Sequence, residues 1–121
     1  MAGKLVHFEV PAQDAERATS FYGGLFGWQF QDAGMPGIDY RMTQLGEEMG
    51  GAVLPSENAG GGLTVYFDAD DIDAAVARAR ELGGEADDKQ PIPGVGWFAG
   101  CKDTEGNAFS LFQSDSSVPG P

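Results

Sequence analysis

Residues 5–10 read LVHFEV, and strand alternation sets His7 and Glu9 on one face with Leu5, leaving Val6, Phe8 and Val10 on the other. An imidazole that titrates near neutrality, next to a carboxylate, is a candidate proton carrier, so His7 and Glu9 are the candidate catalytic pair. The same two side chains can equally serve as hydrogen-bonded filler of an inward strand face. A second stretch, LTVYFD over residues 63–68, alternates in the same way: Thr64, Tyr66 and Asp68 face together, with Val65 and Phe67 opposite. Near the end, KDTEGNAFSLF over residues 102–112 closes on a strand where Ser110 shares a face with Ala108 and Phe112. Trp97 adds an aromatic wall, or Phe98 does in the other register of GWFAG. A concave, mostly apolar surface with a few convergent polar groups is the common form of a small-molecule site. His7, Glu9, Thr64, Tyr66, Asp68, Trp97, Ser110 and Phe112 are therefore the candidate ligand-binding set. Each has a plainer reading, with Tyr66 as packing and Glu9 and Asp68 as solvated rim charges.

Other chemistries find less support. The single histidine excludes a 2-His-1-carboxylate iron site. One cysteine, Cys101, excludes an internal disulfide and suits a reducing, cytoplasmic setting. There is no phosphate loop, no Gly-x-Ser-x-Gly and no Cys-x-x-Cys. A formal charge of −12 with only 7 Lys and Arg argues against nucleic acid and against an anionic membrane surface. The opening MAGKLVHFEVPAQD turns polar too soon for a signal peptide, and no apolar run approaches spanning length. The chain of 121 residues has room for one domain, and 19 Gly with 7 Pro point to many turns and short strands.

The elements that must position these side chains come as a repeat. Laying residues 6–27 over residues 63–84 puts Val6 on Leu63, Phe8 on Val65, Val10 on Phe67 and Asp14 on Asp71, an offset of 57 (63 − 6). Each copy is an alternating strand, a polar step, an Asp suited to cap a helix, and an apolar helical stripe. The spacing predicts one helix over 15–25, with Ala15, Ala18, Tyr22 and Leu25 inward, stopped by Gly27. It predicts a second over 72–82, with Ile72, Ala75, Val76, Ala79 and Leu82 inward, stopped by Gly83-Gly84. Three shorter strands follow each helix: WQFQDA, DYRMTQL and GGAVL in the first copy, EADDK, GWFAGCK and AFSLFQ in the second. Both copies read βαβββ, with module one over about 4–55, a connector at 56–62, module two over about 63–114, and a disordered tail at 115–121.

A tandem βαβββ chain carrying DAERATSFYGGLFGW (14–28), ARELGGE (79–85) and KDTEGNAFSLF (102–112) resembles the vicinal oxygen chelate superfamily. That superfamily includes glyoxalase I, extradiol dioxygenases, fosfomycin resistance proteins and bleomycin-binding proteins. The resemblance implies an α+β fold of paired curved mixed sheets around an inter-module cavity, helices outside, and a homodimer. Metal-bearing members hold a divalent ion with His or Gln early in each module and Glu on the last strand. Those positions fall here on His7, Thr64, Ser110 and the stretch GGAVL (50–54). One imidazole and two hydroxyls do not replace such a set, so no metal and no other cofactor is expected. The implied activity is binding or sequestration of a small organic ligand, in the manner of the bleomycin-binding type. The alternative is a glyoxalase-like lyase or isomerase that moves a proton with His7 or Glu9.

Overall fold

Two aspartates begin two helices in nearly the same way. Asp14, at φ −130° and ψ 99°, accepts the Arg17 N–H at 3.0 Å. Asp71, at φ −137° and ψ 99°, accepts the Ala74 N–H at 3.1 Å. Extended backbone at the cap with a carboxylate turned back on the first turn satisfies donors that a helix cannot pair internally. Around these caps the computed structural model, which describes residues 3–119, runs β1 (Leu5–Ala12), α1 (Ala15–Phe26), β2 (Gln31–Asp32), β3 (Arg41–Gln44) and β4 (Gly50–Pro55). It continues with β5 (Thr64–Asp68), α2 (Ile72–Glu81), β6 (Glu85–Ala86), β7 (Gln90–Ile92), β8 (Gly96–Lys102) and β9 (Ala108–Ser114). The chain is α+β, built of two βαβββ modules in tandem, the second with the short β7 added.

The chain divides into two compact units. In the first, Val6–Thr64, β1 pairs in parallel with β4, β3 runs antiparallel to β4, and β2 antiparallel to β3. In the second, from Val65 onward, β5 pairs in parallel with β9, β8 runs antiparallel to β9, and β6 and β7 pair antiparallel with β8. The wiring of the repeat is the same. Gly3–Leu5 joins the second unit: the Gly3 N–H donates to Asp68 O at 2.8 Å and the Asp68 N–H to Lys4 O at 2.9 Å.

Each module has its own core. Val10, Ala12, Ala15 and Val53 are buried together, with Phe8, Ala18, Tyr22 and Phe30 packed on them. Ala69, Ile72, Val76 and Ala99 form the second, with Ala75, Ala86, Trp97 and Leu111 around it. Two stripe positions leave the pattern. Leu25 is exposed because Gly27, at φ 75°, turns the chain so that Trp28 stacks on Tyr22 at 5.6 Å and packs beside Phe8 at 5.8 Å. Leu82 is exposed because it is the capping residue of α2, already off the helical stripe.

The tail corrects the sequence reading: residues 115–119 are packed rather than disordered. Val118 is buried, the Gly94 N–H donates to Val118 O at 2.9 Å, and the Asp115 N–H donates to Val95 O at 2.8 Å. Polar composition hid this, because the anchoring bonds run through the backbone of a distant turn. Residues 120–121 lie outside the described residues.

Gly51 of β4 meets Phe8 of β1, and a Cβ at Gly51 would overlap the Phe8 ring. Gly51→Ala is therefore expected to lower stability by about 1–3 kcal/mol, and Asp71→Ala by about 1 kcal/mol. Urea unfolding followed by tryptophan fluorescence checks both.

Candidate functional site

His7 and Glu9 stand on the same face of β1, and both are half-buried. What joins them comes from elsewhere in module one. The Tyr40 hydroxyl lies 2.6 Å from His7 Nε2 and 2.7 Å from Glu9 Oε2. A carboxylate only accepts, so the single phenolic proton is donated to Glu9 and the Tyr40 oxygen accepts from His7 Nε2–H. That order places the imidazole proton on Nε2, and in the neutral ring Nδ1 is then the basic nitrogen. The two rings lie nearly parallel, 21° apart with centroids 6.2 Å apart. Burial pushes the His7 pKa below the 6.5 of a solvated imidazole, and the nearby Glu9 charge partly opposes it. His7 is thus neutral near pH 7, the form able to take a proton or accept a hydrogen bond.

Tyr40 is the residue that sequence reasoning missed. It closes the loop DAGMPGIDY just ahead of β3, and the alternation of DYRMTQL already sets it on one face with Met42 and Gln44. Its reach to β1 depends on strand order, which a local pattern does not carry. Beyond β3 lies a cleft of about 530 Å³ lined by Trp28, Gln29, Gln31, Met42, Gln44 and their neighbours. Met42 and Gln44 of that lining share a sheet face with Ala52 and Gly50, the register partners of Glu9 and His7, while His7, Tyr40 and Glu9 themselves do not line the cleft.

Module two carries the remaining candidate residues. Tyr66 pairs with Ser110, Asp68 with Phe112, Phe98 with Phe112, and Gly100 with Ser110, so these residues share one side of the sheet. Ser110 is buried. Asp68 is held at its edge, where its carboxylate accepts the Lys4 N–H at 2.6 Å. Thr64 opens β5, half-buried. Trp97 is a correction. It pairs with Gln113, whose side-chain oxygen accepts the Ile72 N–H at the start of α2, and it packs on the helix-side core. Its indole N–H donates to Asp115 at 3.2 Å, and Lys89 Nζ sits 4.4 Å from the ring centroid. The aromatic residue on the Ser110 face is Phe98. Asp87, which the sequence did not single out, lays its carboxylate against Gly100, where a Cβ would lie 3.2 Å from Oδ2. Cys101 is buried, and burial together with Asp87 pushes its thiol pKa up, so it is held as an inert thiol.

A profile of the glyoxalase-like domain matches residues 6–112. The chain belongs to that family. This glyoxalase-like domain is 30% identical over 119 residues to a glyoxylase-like domain-containing protein of Didymella fabae, covering 90% of this chain and 92% of that one. Its fold is that of hypothetical protein BH1468 from Bacillus halodurans, at TM-score 0.71 and 16% identity, covering 98% of this chain and 99% of the other. It is also that of methylmalonyl-CoA epimerase from Mycobacterium tuberculosis, at TM-score 0.67 and 16% identity, covering 98% and 89%. These proteins belong to the vicinal oxygen chelate superfamily.

The resemblance to metal-bearing members of the superfamily implies a divalent ion, and the donor set can be tested position by position. Glu9 pairs with Ala52 as Tyr66 pairs with Ser110, so the last-strand positions of the two modules carry a methyl group and a hydroxyl. The first-strand positions carry His7, engaged with Tyr40, and Thr64. Among the described residues no group of three or more His, Cys, Asp or Glu is placed to hold a metal. These side chains do not fit a divalent ion.

The site makes a direct forecast for His7. Its pKa, followed by imidazole NMR, is expected below 6.5, and lower still in Glu9→Gln, which removes the charge that raises it. Because the folded chain binds this proton less readily than the unfolded chain, His7 adds stability above the unfolded pKa of about 6.5. That contribution is lost as pH falls through the depressed folded value. A His7 pKa above 6.5 would overturn the assignment.

Proposed function

We propose that this glyoxalase-like domain binds a small organic molecule, without a metal, on the face of module one that carries His7, Tyr40 and Glu9. The observation that carries the reading is the hydrogen-bonded chain itself. One hydroxyl bridges an imidazole at 2.6 Å and a carboxylate at 2.7 Å, a half-buried polar anchor on an otherwise mostly apolar strand face. A cleft elsewhere in the same module, at β2 and β3, offers the amides of Gln29, Gln31 and Gln44 beside Trp28 and Met42, which suits an uncharged body with donors and acceptors. With a formal charge of −12, a neutral or cationic ligand is favoured over an anion. Tyr66, Asp68, Phe98, Ser110 and Phe112 are carried by the reading as a second, weaker contact set on module two. A homodimer in the cytoplasm, with no nucleic acid or membrane partner, completes it; among the described residues no helix is long and apolar enough to cross a membrane.

Native mass spectrometry of the freshly purified chain, paired with elemental analysis, tests this. An organic adduct without stoichiometric metal is expected, and the adduct is lost in His7→Ala. Stoichiometric zinc, nickel, iron or manganese sinks the reading.

A second reading is favoured by one observation, the neutral His7 joined through Tyr40 to a carboxylate. An imidazole so held can remove a proton from carbon next to a carbonyl, which is isomerase-type chemistry. Epimerases of this fold act on methylmalonyl-CoA, as their name states. The excess of acidic residues here disfavours the phosphates of such an ester. In D2O, methylmalonyl-CoA is therefore expected to show no enzyme-dependent deuterium uptake at C2. Rapid uptake that disappears in His7→Ala would make the isomerase reading the better one.

A further inference from the structure

We propose that Ala52 of β4 is a positioning residue: its small side chain lets Tyr40 cross the strand and thereby holds the His7 proton on Nε2. This deepens the binding reading above, since it concerns the same His7–Tyr40–Glu9 chain.

The geometry leaves Tyr40 one route. In module one β4 lies between β3 and β1, and neighbouring strands are about 4.8 Å apart. Tyr40 directly precedes β3, yet its hydroxyl is bonded to two side chains of β1. Its ring must therefore lie over β4. On that face β4 offers Gly50, the register partner of His7, Ala52, the partner of Glu9, and Leu54, the partner of Pro11, and of these it is Gly50 and Ala52 that stand beside the two side chains Tyr40 reaches. Gly50 has no room to grow, because a Cβ there would stand 2.9 Å from the Thr43 carbonyl oxygen. Ala52 carries only a methyl group and is nevertheless 1% exposed, as expected of a residue covered by a ring. The opposite face of the strand follows the same rule, with Gly51 bare beneath Phe8. A branched side chain at position 52 would occupy the track of Tyr40 and detach it from His7 and Glu9.

The chain contains one histidine, so its imidazole nitrogens can be read without ambiguity by 15N NMR, and no ligand is needed. The wild-type protein above its His7 pKa is expected to show the Nε2–H tautomer. Tyr40→Phe and Ala52→Leu are expected to lose that preference alike, while Ala52→Gly keeps it. A folded Ala52→Leu protein that retains the Nε2–H tautomer overturns the proposal. A second measurement covers loss of folding. Ala52→Val is expected to lower the urea midpoint in the wild-type background and to lower it less than half as much beside Tyr40→Ala. Equal losses in both backgrounds overturn the proposal as well. Because both readouts are taken on the free protein, failure to find a bound organic molecule leaves this result standing, and the reverse holds too.

Discussion

Parallel pairing of β1 with β4 sets Phe8 against Gly51 and His7 against Gly50, and much of module one follows from that register. On the helix side the bare Gly51 admits the Phe8 ring, which packs beside Trp28, which in turn stacks on Tyr22 of α1. On the other side the same strand carries the register partners of His7 and Glu9. A slip of one residue would exchange the faces, burying His7 and Glu9 against the helix and turning Phe8 outward. The core and the face that carries His7 and Glu9 are therefore specified by one ladder of hydrogen bonds.

Module two keeps the wiring and changes the chemistry. Its parallel pair, β5 with β9, sets Tyr66 against Ser110 where module one has Glu9 against Ala52. No phenol bridges an imidazole to a carboxylate there, because the chain's one imidazole is His7. Asp68 spends its carboxylate on the Lys4 backbone N–H, and Trp97 is drawn into the core beneath α2. A repeat preserves strand pairing and capping, which depend on backbone and a few side chains. It leaves the exposed face free to diverge.

Charge sets the surroundings of the module-one face. Nineteen acidic residues against seven basic ones give the whole chain a negative field, while the lining of the cleft is uncharged amide and apolar surface. His7 is kept neutral in that setting, since burial outweighs the nearby Glu9 charge. A neutral imidazole and an acceptor carboxylate joined by a phenol form a polar anchor that carries no cation of its own.

The 57-residue offset, the capping aspartates and the alternation of LVHFEV, LTVYFD and AFSLF were legible in the sequence because they are local. Capping needs residues three apart, and a strand face needs only the parity of positions. The same parity left Trp97 against Phe98 undecided, since either register of GWFAG alternates equally well; pairing with Gln113 beside α2 decided it. The packed tail and the exposed Leu25 and Leu82 were settled by contacts with chain far away or by cap geometry. Sequence by itself thus determined the modules, their caps and the face that holds His7 and Glu9. Only the tertiary structure decided that Tyr40, thirty-three residues from His7, completes the chain between them, because the order β3-β4-β1 is a property of strand pairing that no single stretch encodes.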